Sequence, residues 1–423
     1  MLNRSFSPAP RKRVHLSALG FGLVAALATS VAEANVVTDW STRTGTVVNG
    51  QIDMEQTRSF AMVQIAIHDA LNAIERRYEP YAYHGWAPKA SPEAAVATAA
   101  RDVLVAVVNP PNPAVDTWYE EALAAIPNGH AKRRGIDVGR EAAKRIKALR
   151  AKDDLQGALT KPYEPGNEPG DYRVVPPFDV VVGAGWGELA PFVVPRATDF
   201  RPAPPFPLWS RQYTVEYQEV QAIGSKESTL RTPEQSQIAD FWYESSATGW
   251  MRIANGVAKE RDLNLWDSAR ALGLVSLALA DGFINGFDAK YHYNYWRPFT
   301  AIREGDEDGN FRTKGDPNWT PYCDTPPVPD YPSTHSLLGA AAAEVLARVF
   351  GDKTSFTADS LSLPGVTRSY ASFTQAAEEN AASRVYCGIH WRHATKAGVK
   401  QGRQIGRYVV KHALRPKHRR HHH

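Results

Sequence analysis

Tyr331-Pro332-Ser333-Thr334-His335-Ser336, followed by Leu337-Leu338-Gly339-Ala340-Ala341-Ala342-Ala343-Glu344-Val345-Leu346-Ala347, reads as a loop turning into a helix. The run after Ser336 is built almost wholly from strong helix formers. Pro332, Ser333 and Thr334 therefore stand where the helix begins, with free backbone N–H groups and a hydroxyl able to cap. A helix start of this kind suits an anion, and His335 falls within its first turn. Taken alone, the stretch fits an ordinary N-cap with a surface histidine equally well.

Two further stretches tip the balance. Lys290 and Arg297 are spaced by close to two helical turns, so on one helix they share a face, and Pro298 then ends that helix. Downstream lies Ser383-Arg384-Val385-Tyr386-Cys387-Gly388-Ile389-His390. Together the three stretches offer one lysine, two arginines, two histidines, a serine and helix-end amides. That set suits a tetrahedral oxyanion, with cations and N–H donors for its oxygens and histidines for chemistry.

The pattern Lys-x6-Arg-Pro, Pro-Ser-x-His, Ser-Arg-x3-Gly-x-His resembles the signature shared by vanadium-dependent haloperoxidases and type 2 phosphatidic-acid phosphatases. Each part alone is weak; all three in order are specific. The flanks, Asp288 to Ile302 and Gly388-Ile389-His390-Trp391, look more like the bacterial, chloroperoxidase-like haloperoxidase branch. A weaker likeness runs through Ala61 to Ala73.

The resemblance implies an all-α fold, a helical bundle with long proline-rich loops. It implies vanadate held by Lys290, Arg297, Arg384, the Ser333 hydroxyl and the Thr334 N–H. His390 would bind vanadium, His335 would be the acid–base on the opposite side, and Lys290 would join them in catalysis. The reactants implied are hydrogen peroxide, a halide (bromide or iodide favoured) and a small organic acceptor, with a hypohalous species as product. The phosphatase branch implies a different use of the same cage. There a phosphomonoester is hydrolysed through a phosphohistidine at His390, with His335 protonating the leaving group. The motifs do not separate the two. A catalytically idle anion-binding protein is a third option, opposed by the presence of all six motif side chains.

Three positions depart from the family pattern. Thr334 replaces a glycine, and its side chain narrows the approach. Ala394 stands where an aspartate often follows the last histidine by four residues. The halide-pocket positions fall on Phe287 and Val328, and the small Val328 points away from chloride.

The remainder of the chain fits an exported helical protein. Arg4, Arg11, Lys12 and Arg13 precede an apolar run from Leu16 to Thr29, and Ala32-Glu33-Ala34 has the small-x-small form of a cleavage site. Residues 1–34 are thus expected to be a signal peptide, with a periplasmic or secreted destination. The net charge of +4 includes that basic leader, so the rest is nearly neutral and gives no sign of nucleic-acid binding. No other stretch is expected to span a membrane, and the oligomeric state stays open, a homodimer among the options.

Residues 35–414 read as one helical domain, with an N-terminal half over about 35–225 and an active-site half over about 226–414. Residues 415–423 read as a solvated basic and histidine tail. Helical spacing marks Met54 to Arg76, where His68 is expected to be packed and hydrogen-bonded rather than a ligand. It also marks Pro92 to Val108, Val115 to Ile126, Ile136 to Ala151 and Ser210 to Ile223. A helix capped by Thr232 and Pro233 is expected to run through Trp242, and Leu263 to Tyr291 is a long apolar helix delivering Lys290. Lys161 to Leu208, rich in proline and glycine, is expected to be an ordered loop held by Trp186, Phe192 and Trp209. Asp306 to Gly309 reads as a turn. Cys323 and Cys387 either form a disulfide or remain buried thiols. No run alternates as a strand would.

Overall fold

The computed structural model describes residues 35–417, and residues 35 onward form one compact unit. The export signal expected at 1–34 and the last six residues of the basic tail lie outside the described residues. The helices are α1 (Val36–Val48), α2 (Asp53–Ile74), α3 (Pro92–Val107), α4 (Ala114–Ala124), α5 (His130–Leu149), α6 (Leu155–Thr160) and α7 (Arg211–Ile223). They continue as α8 (Pro233–Phe241), α9 (Ser246–Glu260), α10 (Leu265–Tyr293), α11 (Pro298–Arg303), α12 (Thr334–Phe350), α13 (Phe373–Tyr386) and α14 (Arg392–His412). The expected all-α architecture holds. One exception is a short antiparallel hairpin, β1 (Phe356–Asp359) with β2 (Thr367–Tyr370). Four-residue strands are too short for alternation to stand out in sequence.

α10 is the axis of the bundle. By length and composition it passes for a membrane span, yet it is buried among α2, α9, α12 and α14. Asn264 caps its start, accepting from the N–H groups of Trp266 and Asp267. α12 lies against α10 on one side and α14 on the other. The α14 contact depends on glycine at every fourth residue. A Cβ would stand 2.3 Å from Ser333 O at Gly398, 2.1 Å from Leu337 O at Gly402 and 2.7 Å from Ala341 O at Gly406. The backbone of α14 thus presses directly on the first turns of α12, fixing the helix start that carries His335.

In the N-terminal half, the His68 expectation is met. His68 Nδ1 lies 3.1 Å from Asp69 Oδ1, and Asn72 Nδ2 reaches His68 Nε2 at 3.1 Å. Asp69 also accepts the N–H groups of Tyr81, Ala82 and Tyr83, tying the following loop to α2.

The loop from Lys161 to Leu208 is ordered by the body beneath it. Asp281 on α10 accepts the backbone N–H groups of Phe192, Val193 and Val194, and Arg201 pairs with Asp288 at 2.8 Å. Trp186 and Phe192 are buried as expected, but Trp209 is 75% exposed and anchors nothing.

Other expectations need correction. Trp242 is the C-cap of α8, so that helix ends at Phe241. The described start of the basic tail, residues 415–417, is exposed as expected but tethered: Arg415 pairs with Glu79 at 2.7 Å, and Tyr78 bridges Pro416. Lys290 and Arg297 do not share a helix. α10 stops at Tyr293 because Asn294 turns left-handed (φ 48°), its N–H closing on Lys290 O. Pro298 then opens α11 as its first residue, with Arg297 at the N-cap.

Candidate active site

The site forms where the end of α10, the starts of α11 and α12, and the end of α13 converge. Three consecutive carbonyls of the loop before α12 hold the first two cations. Val328 O accepts from Arg297 Nε at 2.8 Å, while Pro329 O and Asp330 O accept from Lys290 Nζ at 2.6 and 3.0 Å. The spacing of Lys290 and Arg297 therefore reflects two helix ends meeting one loop.

Arg384 lies in the last turn of α13, its Nη1 donating to Trp242 O at 3.2 Å and its Nε unpartnered. α13 ends at Tyr386, and two residues on the chain turns at Gly388, whose φ of 75° favours glycine and where a Cβ would meet Gly224 O at 2.2 Å. That tight turn brings His390 back beneath Arg384. Cys323 and Cys387 are joined as a disulfide, and Cys323 N donates to Cys387 O at 3.1 Å. The question left open by the sequence is thereby answered, and the approach to α12 is stapled to the His390 turn.

Ser333 is the N-cap of α12. Its Oγ accepts from Ser336 Oγ at 2.9 Å and from Ser336 N, which leaves its own O–H free to donate. Thr334 packs where Gly286 of α10 leaves room; a Cβ there would meet Thr334 Oγ1 at 3.3 Å. His335 Nδ1 lies 2.8 Å from Ser246 Oγ, and its Nε2 has no partner. His390 Nδ1 lies 2.8 Å from Asp330 Oδ1, and Arg297 Nη1 sits close to both ring nitrogens, 3.0 Å from Nε2 and 3.4 Å from Nδ1.

Burial dominates the electrostatics. It pushes Lys290 well below the usual ammonium range, with Arg297 adding to the effect. It lowers Arg384 to about 10 and also lowers Arg297. His335 is driven down by burial and then by Arg384, and His390 by burial and then by Arg297, Lys290 and Arg384. Asp330, also buried, is raised to about 7, with Arg297 and Lys290 opposing the rise. Three buried cations thus face one buried carboxylate, and two histidines are held neutral beside them. Such an arrangement is short of negative charge, and an anion at its centre completes it.

Lys290, Arg297 and His390 are linked through the 328–330 loop, Arg384 lies near enough to act on both histidines, and Ser333 and Thr334 stand beside His335 at the start of α12. Phe287 and Val328 are both buried in the main core, Val328 holding Arg297 through its carbonyl. Sequence reasoning missed Asp330 and Ser246. Asp330 had a signal, being a lone carboxylate two residues before Pro332. Ser246 had none.

A family model of the VCPO second helical-bundle domain matches residues 270–418, the part of the chain that builds the cage. The crystal structure of the first bacterial vanadium-dependent iodoperoxidase superposes with a TM-score of 0.81 at 28% identity, over 91% of this chain and 97% of that one. Over most of its length the chain is similar to vanadium-dependent haloperoxidases. Vanadium chloroperoxidase of Curvularia inaequalis is 27% identical over 301 residues, 55% of this chain, and the chain spans about half (48%) of that relative's length. A holo bacterial vanadium-dependent chloroperoxidase shares the fold, with a TM-score of 0.71 at 18% identity.

The cage fits vanadate. Arg384 Nε and His335 Nε2 are buried polar atoms without a protein partner, and the Ser333 hydroxyl retains a free donor. The family's aspartate four residues after the last histidine is absent. Ala394 is fully buried there, its carbonyl accepting from Ser333 N at 3.0 Å.

Proposed function

We propose that this chain is a vanadate-dependent haloperoxidase that oxidises bromide or iodide with hydrogen peroxide to a hypohalous species, which then halogenates a small organic acceptor. The observation that carries this reading is the buried cage itself, in which Lys290, Arg297 and Arg384 are buried beside His335 and His390 with Asp330 as their one buried carboxylate. The similarity to an iodoperoxidase over nearly the whole chain supports the halide assignment.

In this reading Lys290, Arg297 and Arg384 hold the oxygens of vanadate, with the Ser333 hydroxyl and the Thr334 N–H. His390 would offer Nε2 to vanadium, and His335, its Nε2 unpartnered, would act as acid–base toward the bound anion. Bound vanadate supplies a Lewis acid that polarises peroxide without changing oxidation state. The cations keep that charge stabilised, and the buried walls keep water away.

Phosphomonoester hydrolysis is the second reading, favoured by one specific observation. With Nδ1 against a carboxylate, His390 presents Nε2 as a nucleophile equally well. Purified protein assayed with bromide, iodide and peroxide, with and without vanadate, separates the two. Halide oxidation that appears only with vanadate is expected. Brisk phosphomonoesterase activity in vanadate-free protein, with no halide oxidation after loading, would reverse the order. Export is part of the proposal and is supported by the disulfide, which suits an oxidising compartment.

A further inference from the structure

We propose that Asp330 is the positioning residue of His390, a carboxylate that fixes the imidazole with Nε2 turned to the bound anion and stands in for the aspartate missing at Ala394. The proposal rests on the vanadate reading above for its ligand and on geometry for its substance.

Only one nitrogen of His390 faces a carboxylate. Nδ1 faces Asp330 Oδ1 at 2.8 Å, and a carboxylate only accepts, so Nδ1 must carry the proton. Arg297 Nη1 lies 3.0 Å from Nε2 and 3.4 Å from Nδ1, close to both ring nitrogens, so it does not choose between the tautomers. The Asp330 contact selects the tautomer in which Nε2 can bind a metal or attack an ester.

Asp330 is itself immobilised. It is fully buried, its N–H donates to Tyr295 O at 2.8 Å, and its carbonyl accepts from Lys290 Nζ at 3.0 Å. The carboxylate is thus aimed by its own backbone, and the loop that cradles Lys290 and Arg297 also orients His390. Ala394, on α14, cannot contribute a hydrogen bond from its side chain. The carboxylate has moved in sequence from the helix after the histidine to the loop before α12.

A plainer role is that of a counter-ion to Arg297, whose Nη1 lies 3.9 Å from Asp330 Oδ1. The two roles predict opposite effects. Removing a counter-ion makes the cage more positive and strengthens every anion. Removing a positioning group weakens only the ligand that bonds to Nε2.

The full chain should therefore be titrated with vanadate and with inorganic phosphate as wild type, Asp330→Ala and Asp330→Asn. Asp330→Ala is expected to weaken vanadate by about 10–100-fold while phosphate binding holds or tightens. Asp330→Asn keeps an acceptor at Oδ1 and should recover much of the loss. In a His390→Ala background, Asp330→Ala should cost vanadate nothing more. Equal weakening of both anions, or an undiminished loss in that background, would overturn the proposal.

Imidazole nitrogen-15 NMR of anion-free protein reads the tautomer independently of any ligand. The Nδ1-protonated form should dominate in wild type and be lost in Asp330→Ala; an unchanged tautomer would refute the positioning role. If wild type prefers phosphate to vanadate, the vanadate reading fails while this measurement still decides the role of Asp330.

Discussion

Ser246 Oγ, in the first turn of α9, lies 2.8 Å from Nδ1 of His335, in the first turn of α12. The pair joins two helix starts and leaves His335 Nε2 without a protein partner. A ring held at one nitrogen and free at the other is set for proton exchange. Ser246→Ala should lower turnover roughly tenfold, a part of the ~10²–10⁴-fold that a positioned acid–base contributes. Vanadate affinity should barely change, because the cations and His390 are untouched. Steady-state kinetics beside vanadate titration checks this; an equal loss in both would place Ser246 among the binding groups instead.

The two histidines should separate in the same measurements. His390→Ala removes the nitrogen assigned to vanadium and should abolish tight vanadate binding. His335→Ala should keep much of the affinity yet lose most turnover. If both variants bind vanadate as wild type does, His390 is wrongly assigned.

The cage was legible because its side chains lie in contiguous motifs at helix ends, where chain order alone brings charge to backbone N–H groups. Asp330 and Ser246 were not, because their function depends on which nitrogen they meet across the fold. Lys290 and Arg297 show how a correct pairing can follow from a wrong picture. Their spacing matches a continuous helix, yet left-handed Asn294 breaks it and the loop carbonyls at 328–330 reunite the cations. Trp209 failed as an anchor because aromatic content says nothing about which face of a loop meets the body.

The depressed histidines give a pH dependence with a definite sign. His390 sits well below the ordinary histidine value of 6.5 because it is buried and ringed by Arg297, Lys290 and Arg384. A lowered pKa means the neutral ring persists into acid, so protons compete poorly for Nε2. The His390 contribution to vanadate affinity should stay flat as pH falls through 6.5 and decline only below it. Dissociation constants from pH 8 to 5, in wild type and His390→Ala, test this. A decline centred on 6.5 that vanishes in the variant would contradict it.

Cys323 and Cys387 close a loop with a sequence separation of 64, and chain-entropy arguments give such a bridge about 4 kcal/mol. Cys323→Ala with Cys387→Ala should lower the unfolding free energy by an amount approaching that. Because the bridge holds the turn before His390, vanadate affinity should fall as well. Chemical denaturation and titration of the double variant measure both. A loss of stability with unchanged affinity would show that the Gly388 turn holds His390 unaided.

Val328 tests halide choice. Its carbonyl holds Arg297 Nε at 2.8 Å through the backbone, so a new side chain need not disturb that bond. Phe287 stands three residues before Lys290 on α10, its ring 5.4 Å from Phe283 and 6.1 Å from Tyr291. A halide must shed water before it reacts, and chloride holds its water most firmly, so a larger apolar wall should help chloride most. Val328→Phe should therefore raise chloride oxidation relative to iodide, with vanadate affinity unchanged. Parallel assays with the three halides at saturating vanadate decide the matter. A uniform fall in all three, accompanied by weaker vanadate binding, would mean that the substitution had disturbed the Arg297 cradle and that Val328 does not choose the halide.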